Sequence, residues 1–281
     1  MEKIGVIGAG VMGRGVAQNL AQSGFDTVLV DLSEEILEAA KEEIYNSVRL
    51  QSLFKKAEGT KSPQEVLGKI LFTTDITLLN DASFAIENII EDWGEKEKVH
   101  KRLNSICPEN CNILVNTSCI SITRVAAVYN HPERVIGTHF MNPVPLMTAV
   151  EVIRGYHTSE QTIQETDGLL KKMGKESIVV NDFPGFVSNR ISHLMMNEAA
   201  FIVQDGVASP EEIDEIFKKC YGHKMGPLET ADLIGLDTVV KSLEVLYESH
   251  QDSKFRCCPL LRKMTDAGLH GKKSGKGFYE Y

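Results

Sequence analysis

His139 and Glu151 fall in one short stretch, residues 137–151, with the sequence GTHFMNPVPLMTAVE. An imidazole titrates near neutrality, and a carboxylate fixed on one ring nitrogen leaves the other to take or give a proton. That chemistry requires the two side chains to meet. His139 closes the apolar run 134–138, Pro143 and Pro145 interrupt regular structure, and 148–153 reads as another strand. If the two strands pair around the proline turn, Glu151 returns beside His139. Taken alone, the two residues fit either a proton-transfer dyad or a polar contact at strand ends.

A second candidate lies at the N-terminus. Ile4-Gly5-Val6-Ile7 reads as a short buried strand running into Gly8-Ala9-Gly10-Val11-Met12-Gly13, and the helix that follows stops at Gly24. In a G-x-G-x-x-G turn the first glycine permits the tight bend, the second lets the backbone approach a pyrophosphate, and the third allows the helix to pack on the strand. The helix N-terminus then offers N–H donors to the anion. A strand over 27–30 ends in Asp31, where an acid meets the hydroxyls of an adenine ribose. Leu32-Ser33-Glu34-Glu35 follows without an arginine and would repel a 2′-phosphate, so NAD is favoured over NADP.

The elements that must carry these residues follow from the wider pattern. Over the first ~180 residues strands alternate with helices, which implies an α/β fold with a parallel, helix-covered sheet and ligands at the carboxyl ends of its strands. Helices are expected over 34–56 and 95–106, and strands over 70–73, 84–90, 113–115 and 177–180. Glu91, Ser118 and His139 each close or follow an apolar strand, which puts them on one rim. Beyond Gly185 the character changes. Residues 186–203 have helical spacing and are too apolar for a solvated surface, so they are expected to meet a partner subunit or the first domain. Ser209-Pro210-Glu211-Glu212 combines an N-cap serine, a first-turn proline and a capping-box glutamate, and further helices are expected over 238–247 and 259–264.

Composition sets the class. The chain of 281 residues is 42% hydrophobic, enough for two domains or one large one. A net charge of −9 without a basic stripe argues against nucleic acid as a partner. No apolar run approaches the ~20 residues needed to span a bilayer, and the first strand begins where a signal peptide would stand, so no membrane partner and a cytoplasmic location are expected. The six cysteines are scattered without paired C-x-x-C motifs or a histidine cluster, which points to reduced thiols and no metal site.

With these motifs in order, the chain resembles the L-3-hydroxyacyl-CoA dehydrogenase family over essentially its full length, in particular its short bacterial 3-hydroxybutyryl-CoA type. The likeness rests on 8–13, on Asn116-Thr117-Ser118, on 139–145 (HFMNPVP), on 184–190 (PGFVSNR), on 225–229 (MGPLE) with Gly235-Leu236-Asp237, and on 271–279 (GKKSGKGFY). It implies a Rossmann-like, mostly parallel sheet domain over 1–184 that binds NAD, followed by an all-α C-terminal domain over 185–281 for substrate and homodimer contacts. His139 is then the general acid/base, Glu151 holds its imidazole, and Ser118 and Asn189 hydrogen-bond the substrate oxygen. Gly8, Gly10, Val11, Met12, Gly13, Asp31, Glu91, Lys96, Ser118, Asn142 and Lys273 match positions that meet the cofactor.

The residues alone leave blander readings open, with Ser118 as a helix cap, Asn189 as a helix-start hydrogen bond and Glu91 as part of a solvated acidic face. Cys119 and Met141 depart from the family pattern, Trp93 adds bulk beside Glu91, and the CoA-contacting serine and lysine align poorly, leaving Ser47, Lys55 and Lys56 as possible contacts. The expected substrate is therefore an acyl-CoA or an acyl-carrier thioester, with a free hydroxy acid as an alternative. A non-catalytic dinucleotide-binding protein is disfavoured by the intact Ser118, His139, Glu151 and Asn189.

Overall fold

The structure is a computed structural model that describes residues 2–54 and 61–281. It divides into two compact units, Met1–Asp182 and Phe183–Tyr281.

Among the described residues the first unit is built on eight strands: β1 (Lys3–Ile7), β2 (Asp26–Val30), β3 (Ile70–Thr73), β4 (Phe84–Glu87), β5 (Asn112–Val115), β6 (Val135–His139), β7 (Ala149–Arg154) and β8 (Glu176–Asn181). Their order in the sheet is β3-β2-β1-β4-β5-β6-β7-β8. All neighbours run parallel except β6 and β7, which are antiparallel. The central strands β4, β5 and β6 are buried along their whole length, as strands covered on both faces must be, which explains why apolar residues follow one another within them without alternation. The chain reverses direction across the sheet between β1 and β4, and a ligand cleft forms at such a point outside the carboxyl ends of the strands.

Among the described residues six α-helices accompany the sheet: α1 (Val11–Gln22), α2 (Glu34–Phe54), α3 (Pro63–Leu67), α4 (Trp93–Ile106), α5 (Ile122–Ala126) and α6 (Glu160–Lys172). Along α2, Leu37, Ala40, Ile44 and Val48 recur at helical spacing and join Ile4, Val6, Leu20 and Leu29 in the core. The expected end of α2 at residue 56 lies outside the described residues. Two boundaries differ from expectation. β4 stops at Glu87 instead of continuing to 90, because Asn88 turns its side chain back to the Ile86 carbonyl and Ile89 N–H donates to the Glu87 carboxylate. α4 starts at Trp93, two residues before the expected 95, because Asp92 caps it by accepting from Glu95 N–H at 3.0 Å.

The second unit is helical: α7 (Ser188–Gln204), α8 (Pro210–Tyr221), α9 (Pro227–Ile234), α10 (Leu236–His250) and α11 (Pro259–Asp266). The capping box at Ser209 forms as expected. α7 begins two residues after the expected 186, since Phe186 takes a left-handed φ of 49°. Its Met196 and Ala200 pack with Ala231, Val239, Leu243 and Leu261, so much of its apolar face goes to the unit's own core. Two buried aspartates fasten the elements. Asp214 accepts from Leu228 and Glu229 N–H at the start of α9, and Asp232 accepts from Phe278 and Tyr279 N–H to hold the C-terminal segment.

Candidate active site

The antiparallel pairing of β6 with β7 sets His139 directly opposite Glu151. His139 Nδ1 lies 3.0 Å from Glu151 Oε2, and Nε2 lies 3.3 Å from Ser118 Oγ. An ionised carboxylate only accepts, so the network assigns the ring proton to Nδ1, leaving Nε2 as the acceptor of the Ser118 hydroxyl in the neutral ring. The expected hairpin around Pro143 and Pro145 is present, with the Asn142-Pro143 peptide bond cis.

Ser118 is placed by the turn that follows β5. Glu91 Oε1 accepts three hydrogen bonds from that turn: Thr117 Oγ1 at 2.5 Å, Ser118 N–H at 3.0 Å and Cys119 N–H at 2.8 Å. Glu91 is therefore more than a solvated acid; it fixes the backbone that carries Ser118. Asn116 makes the next tie, accepting from Phe140 N–H at 3.3 Å and donating to Asn88 Oδ1 at 2.7 Å. The serine turn, the end of the histidine strand and the loop after β4 are thus held by one pair of asparagines. Neither their role nor that of Thr117 emerges from the sequence, because polar residues after strands look like ordinary turn formers there.

Behind this rim lies a buried charge cluster. Lys96 Nζ sits 2.7 and 2.8 Å from the two oxygens of Glu87 and 3.3 Å from the Asn116 carbonyl, with Glu91 Oε2 at 3.7 Å. His100 joins it, with Nε2 3.2 Å from Glu87 Oε2 and Nδ1 2.7 Å from the Tyr129 hydroxyl. Burial pushes the Glu87 carboxyl up, but hydrogen bonding to His100 and the charge of Lys96 outweigh it and hold the group below the usual carboxylate range. Lys96 has no exposed side-chain surface, so in this conformation it acts on the rim through Glu87, Asn116 and Glu91.

The glycine turn fits a dinucleotide. Gly8 has φ +95° and lies so close to Asn88 that a Cβ would stand 2.7 Å from the Asn88 carbonyl oxygen. At Gly13 a Cβ would overlap the Gly8 carbonyl outright, which is the close helix–strand approach the motif requires. Gly10, by contrast, faces open space, and no side chain caps α1, whose first-turn N–H groups have no acceptor within the helix. Asp31, the residue after β2, lies against this turn, its Oδ2 accepting from Ala9 N–H at 2.6 Å. A pyrophosphate over Gly10 and a ribose against Asp31 suit these residues.

Other expected residues fall elsewhere. Asn142 is exposed, and with Ser47, Arg14, Gln18 and Pro143 it lines a cavity of about 160 Å³ beside α1. Lys55 and Lys56 lie outside the described residues. In the second unit, Asn189 occupies the first turn of α7, where its carbonyl accepts from His193 Nδ1 at 2.9 Å. Lys273 pairs with Asp237, Nζ to Oδ2 2.7 Å. Trp93 packs its ring under the Arg124 guanidinium, 4.1 Å from the centroid, which anchors the start of α4 to α5. Among the described residues no cluster of three metal-ligating side chains occurs, and no helix is long and apolar enough to cross a membrane.

Comparison with known proteins gives matches over the whole chain. Residues 3–183 match the model of the 3-hydroxyacyl-CoA dehydrogenase NAD binding domain, and 185–281 that of the 3-hydroxyacyl-CoA dehydrogenase C-terminal domain. A probable 3-hydroxybutyryl-CoA dehydrogenase of Deinococcus radiodurans is 50% identical, covering 99% of this chain and 100% of the relative. One of Bacillus subtilis is 46% identical, covering 100% and 98%. The crystal structure of (S)-3-hydroxybutyryl-CoA dehydrogenase from Ralstonia eutropha superposes with a TM-score of 0.94 at 42% identity, covering 100% of this chain and 99% of that one.

Proposed function

The chain belongs to the 3-hydroxyacyl-CoA dehydrogenase family, and from that premise we propose that it interconverts (S)-3-hydroxybutyryl-CoA and acetoacetyl-CoA. The observation that carries this reading is His139, with Glu151 on one ring nitrogen and Ser118 on the other. Bound at the glycine turn, NAD supplies the acceptor for the hydride that leaves the alcohol carbon.

In the oxidation His139 Nε2 takes the hydroxyl proton, and the ring becomes an imidazolium whose Nδ1–H faces Glu151. A hydrogen bond to a charged group contributes about 1.5–3 kcal/mol, so Glu151 favours the charged ring that proton transfer creates. Ser118 Oγ stands within reach of the same nitrogen and donates to the substrate oxygen as charge grows on it. Asn189 takes the role its motif implies, a second hydrogen bond to that oxygen. In the reduction His139 returns the proton as general acid. Glu91 and Lys96 support this chemistry by fixing the Ser118 turn, and Asn142 and Lys273 are kept as cofactor contacts. Ser47 is the described residue proposed to meet the CoA portion, since the cavity it lines is also lined by Arg14.

The test is NADH oxidation with acetoacetyl-CoA alongside the same acyl group on a pantetheinylated carrier protein. Turnover of the CoA ester is expected to dominate. No turnover at saturating acetoacetyl-CoA would sink the substrate assignment, and a strong preference for the carrier would move it to acyl-carrier chemistry. A homodimer is also proposed, supported by Val207, Ile216 and Tyr221, which α8 and the turn before it leave exposed. Light scattering that gives the mass of one chain would remove that part.

A further inference from the structure

Lys175 stands between α6 and β8 and is only 5% exposed, although a long cationic side chain ordinarily reaches water. Its Nζ turns inward and donates to two backbone carbonyls, Val144 O and Met147 O, each at 2.7 Å. Burial holds the ammonium below its ordinary pKa range, as desolvation of a cation must. A cation kept in such a place costs stability unless its hydrogen bonds are made, so the two carbonyls are what make the position tenable.

Both carbonyls belong to the loop that joins β6 to β7. Residues 142–148 are mostly exposed, and Pro143 and Pro145 remove two of the N–H donors with which a loop could hold itself. Leu146 and Met147 N–H share the Pro143 carbonyl at 3.0 and 3.2 Å, which closes one turn. Val144 is buried so close to α1 that a Cβ on Gly15 would stand 3.1 Å from its own Cβ. The residue after Lys175, Glu176, donates its N–H to Thr148 O at 2.8 Å, and Asn19 Nδ2 of α1 donates to Met173 O at 3.3 Å. The segment 173–176 thus ties the loop to the helix that follows the glycine turn. Asn142 opens this loop, and Pro143, Val144 and Pro145 line the cavity that Arg14 and Ser47 also line.

We propose that Lys175 is a positioning residue for ligand binding: it holds the 142–147 loop in the shape that presents Asn142 to the dinucleotide and the proline wall to the thioester substrate. The inference rests on the dehydrogenase reading and adds a residue that acts through the loop. Its action is confined to binding, because the meeting of His139 with Glu151 is fixed by the β6–β7 ladder, in which Gly137 faces Ile153 and Thr138 faces Val152. The two kinds of residue therefore separate in kinetics. Loss of His139 lowers kcat, whereas loss of Lys175 raises the concentrations of NADH and acetoacetyl-CoA needed for half-saturation.

The experiment compares the whole native chain with Lys175→Met, which fills a similar volume without donors. Fluorescence titration gives the NADH Kd and the number of competent sites per chain, and NADH oxidation gives KM and kcat for acetoacetyl-CoA. The NADH Kd and the acetoacetyl-CoA KM should each rise on the order of tenfold, the worth of one hydrogen bond at the binding stage, with kcat per NADH site within about threefold of the parent. A lysine that served cohesion alone would lower the urea midpoint and the number of competent sites and leave Kd and KM per site unchanged. That result, or a fall in kcat with Kd and KM unchanged, overturns the proposal. If the methionine variant does not fold, Lys175→Gln decides in its place, since its amide nitrogen stops one bond short of Nζ and the same rise in Kd is expected. A wild-type chain that binds NADH without turning over acetoacetyl-CoA removes the substrate assignment, while the Kd comparison still decides on Lys175.

Discussion

Two of the histidine–glutamate pairs in the first unit are shielded from solvent, and the difference between them shows what makes such a pair chemically useful. His139 and Glu151 meet at 3.0 Å and His100 and Glu87 at 3.2 Å, so distance hardly separates them. Surroundings do. Glu87 and His100 have no exposed side-chain surface, and each is tied to further protein groups, Glu87 to Lys96 and His100 to Tyr129. His139 and Glu151 retain 8% and 9% exposure, and the outer ring nitrogen faces Ser118, a hydroxyl on the rim where the strands end. One pair is closed by its partners and serves cohesion. The other leads from a carboxylate through the ring to a hydroxyl on the rim, a route along which a proton can pass.

The contrast breaks most severely if His139 is not the proton carrier. His139→Ala should lower kcat by about 10²–10⁴-fold, the usual worth of a positioned acid/base, with NADH affinity changed little. Equal losses in kcat and in NADH binding, measured by fluorescence titration, would show that the residue serves the cofactor site instead. Lys96→Met attacks the closed pair. It leaves Glu87 buried beside its histidine without its cation, which should cost about 3–5 kcal/mol of stability in urea unfolding. A loss under about 1 kcal/mol would mean that the cluster is far less committed than its geometry suggests.

Glu151→Gln sharpens the open pair. Without the carboxylate the imidazolium loses about 1.5–3 kcal/mol of support, so kcat should fall on the order of ten- to a hundredfold while thermal stability stays near that of the parent. Unchanged kcat would reduce Glu151 to a strand-end contact. The smallest effect is in the acid limb of stability. Because the Glu87 carboxyl is held below its ordinary range, its stabilising contribution is present above the unfolded value of about 4 and is lost as pH falls through the lower folded value. In Lys96→Met the deficit should therefore narrow under acid conditions, where protonation removes the uncompensated charge. A deficit that stays constant down to that range would place the loss in packing.

Legibility in the sequence follows the same division. The strand, glycine turn, helix, strand and terminal acid over 4–31 are local signals, each readable from residues next to one another, and the elements form where they are expected. The hairpin that joins His139 to Glu151 is also local, since an antiparallel return around two prolines fixes the register. The Glu91 carboxylate was readable only as an acid at a strand end, because its three donors lie beyond the intervening helix α4 and strand β5. Its partner Lys96 carries no periodicity that marks it as buried; a lysine on a helix is ordinarily solvated. His100 gave no signal, since its two partners, Glu87 at the end of β4 and Tyr129 in the loop after α5, lie far from it on either side in the chain.

The alternation of strands and helices, the dinucleotide turn and the meeting of His139 with Glu151 are local matters, because apolar periodicity, turn chemistry and short hairpins act between neighbours. Which carboxylates are shared, which lysine is buried and which histidine reaches the rim are settled by packing between distant segments. Those outcomes depend on how far burial removes water from a group and on which distant side chain replaces it, and neither is written in any single segment.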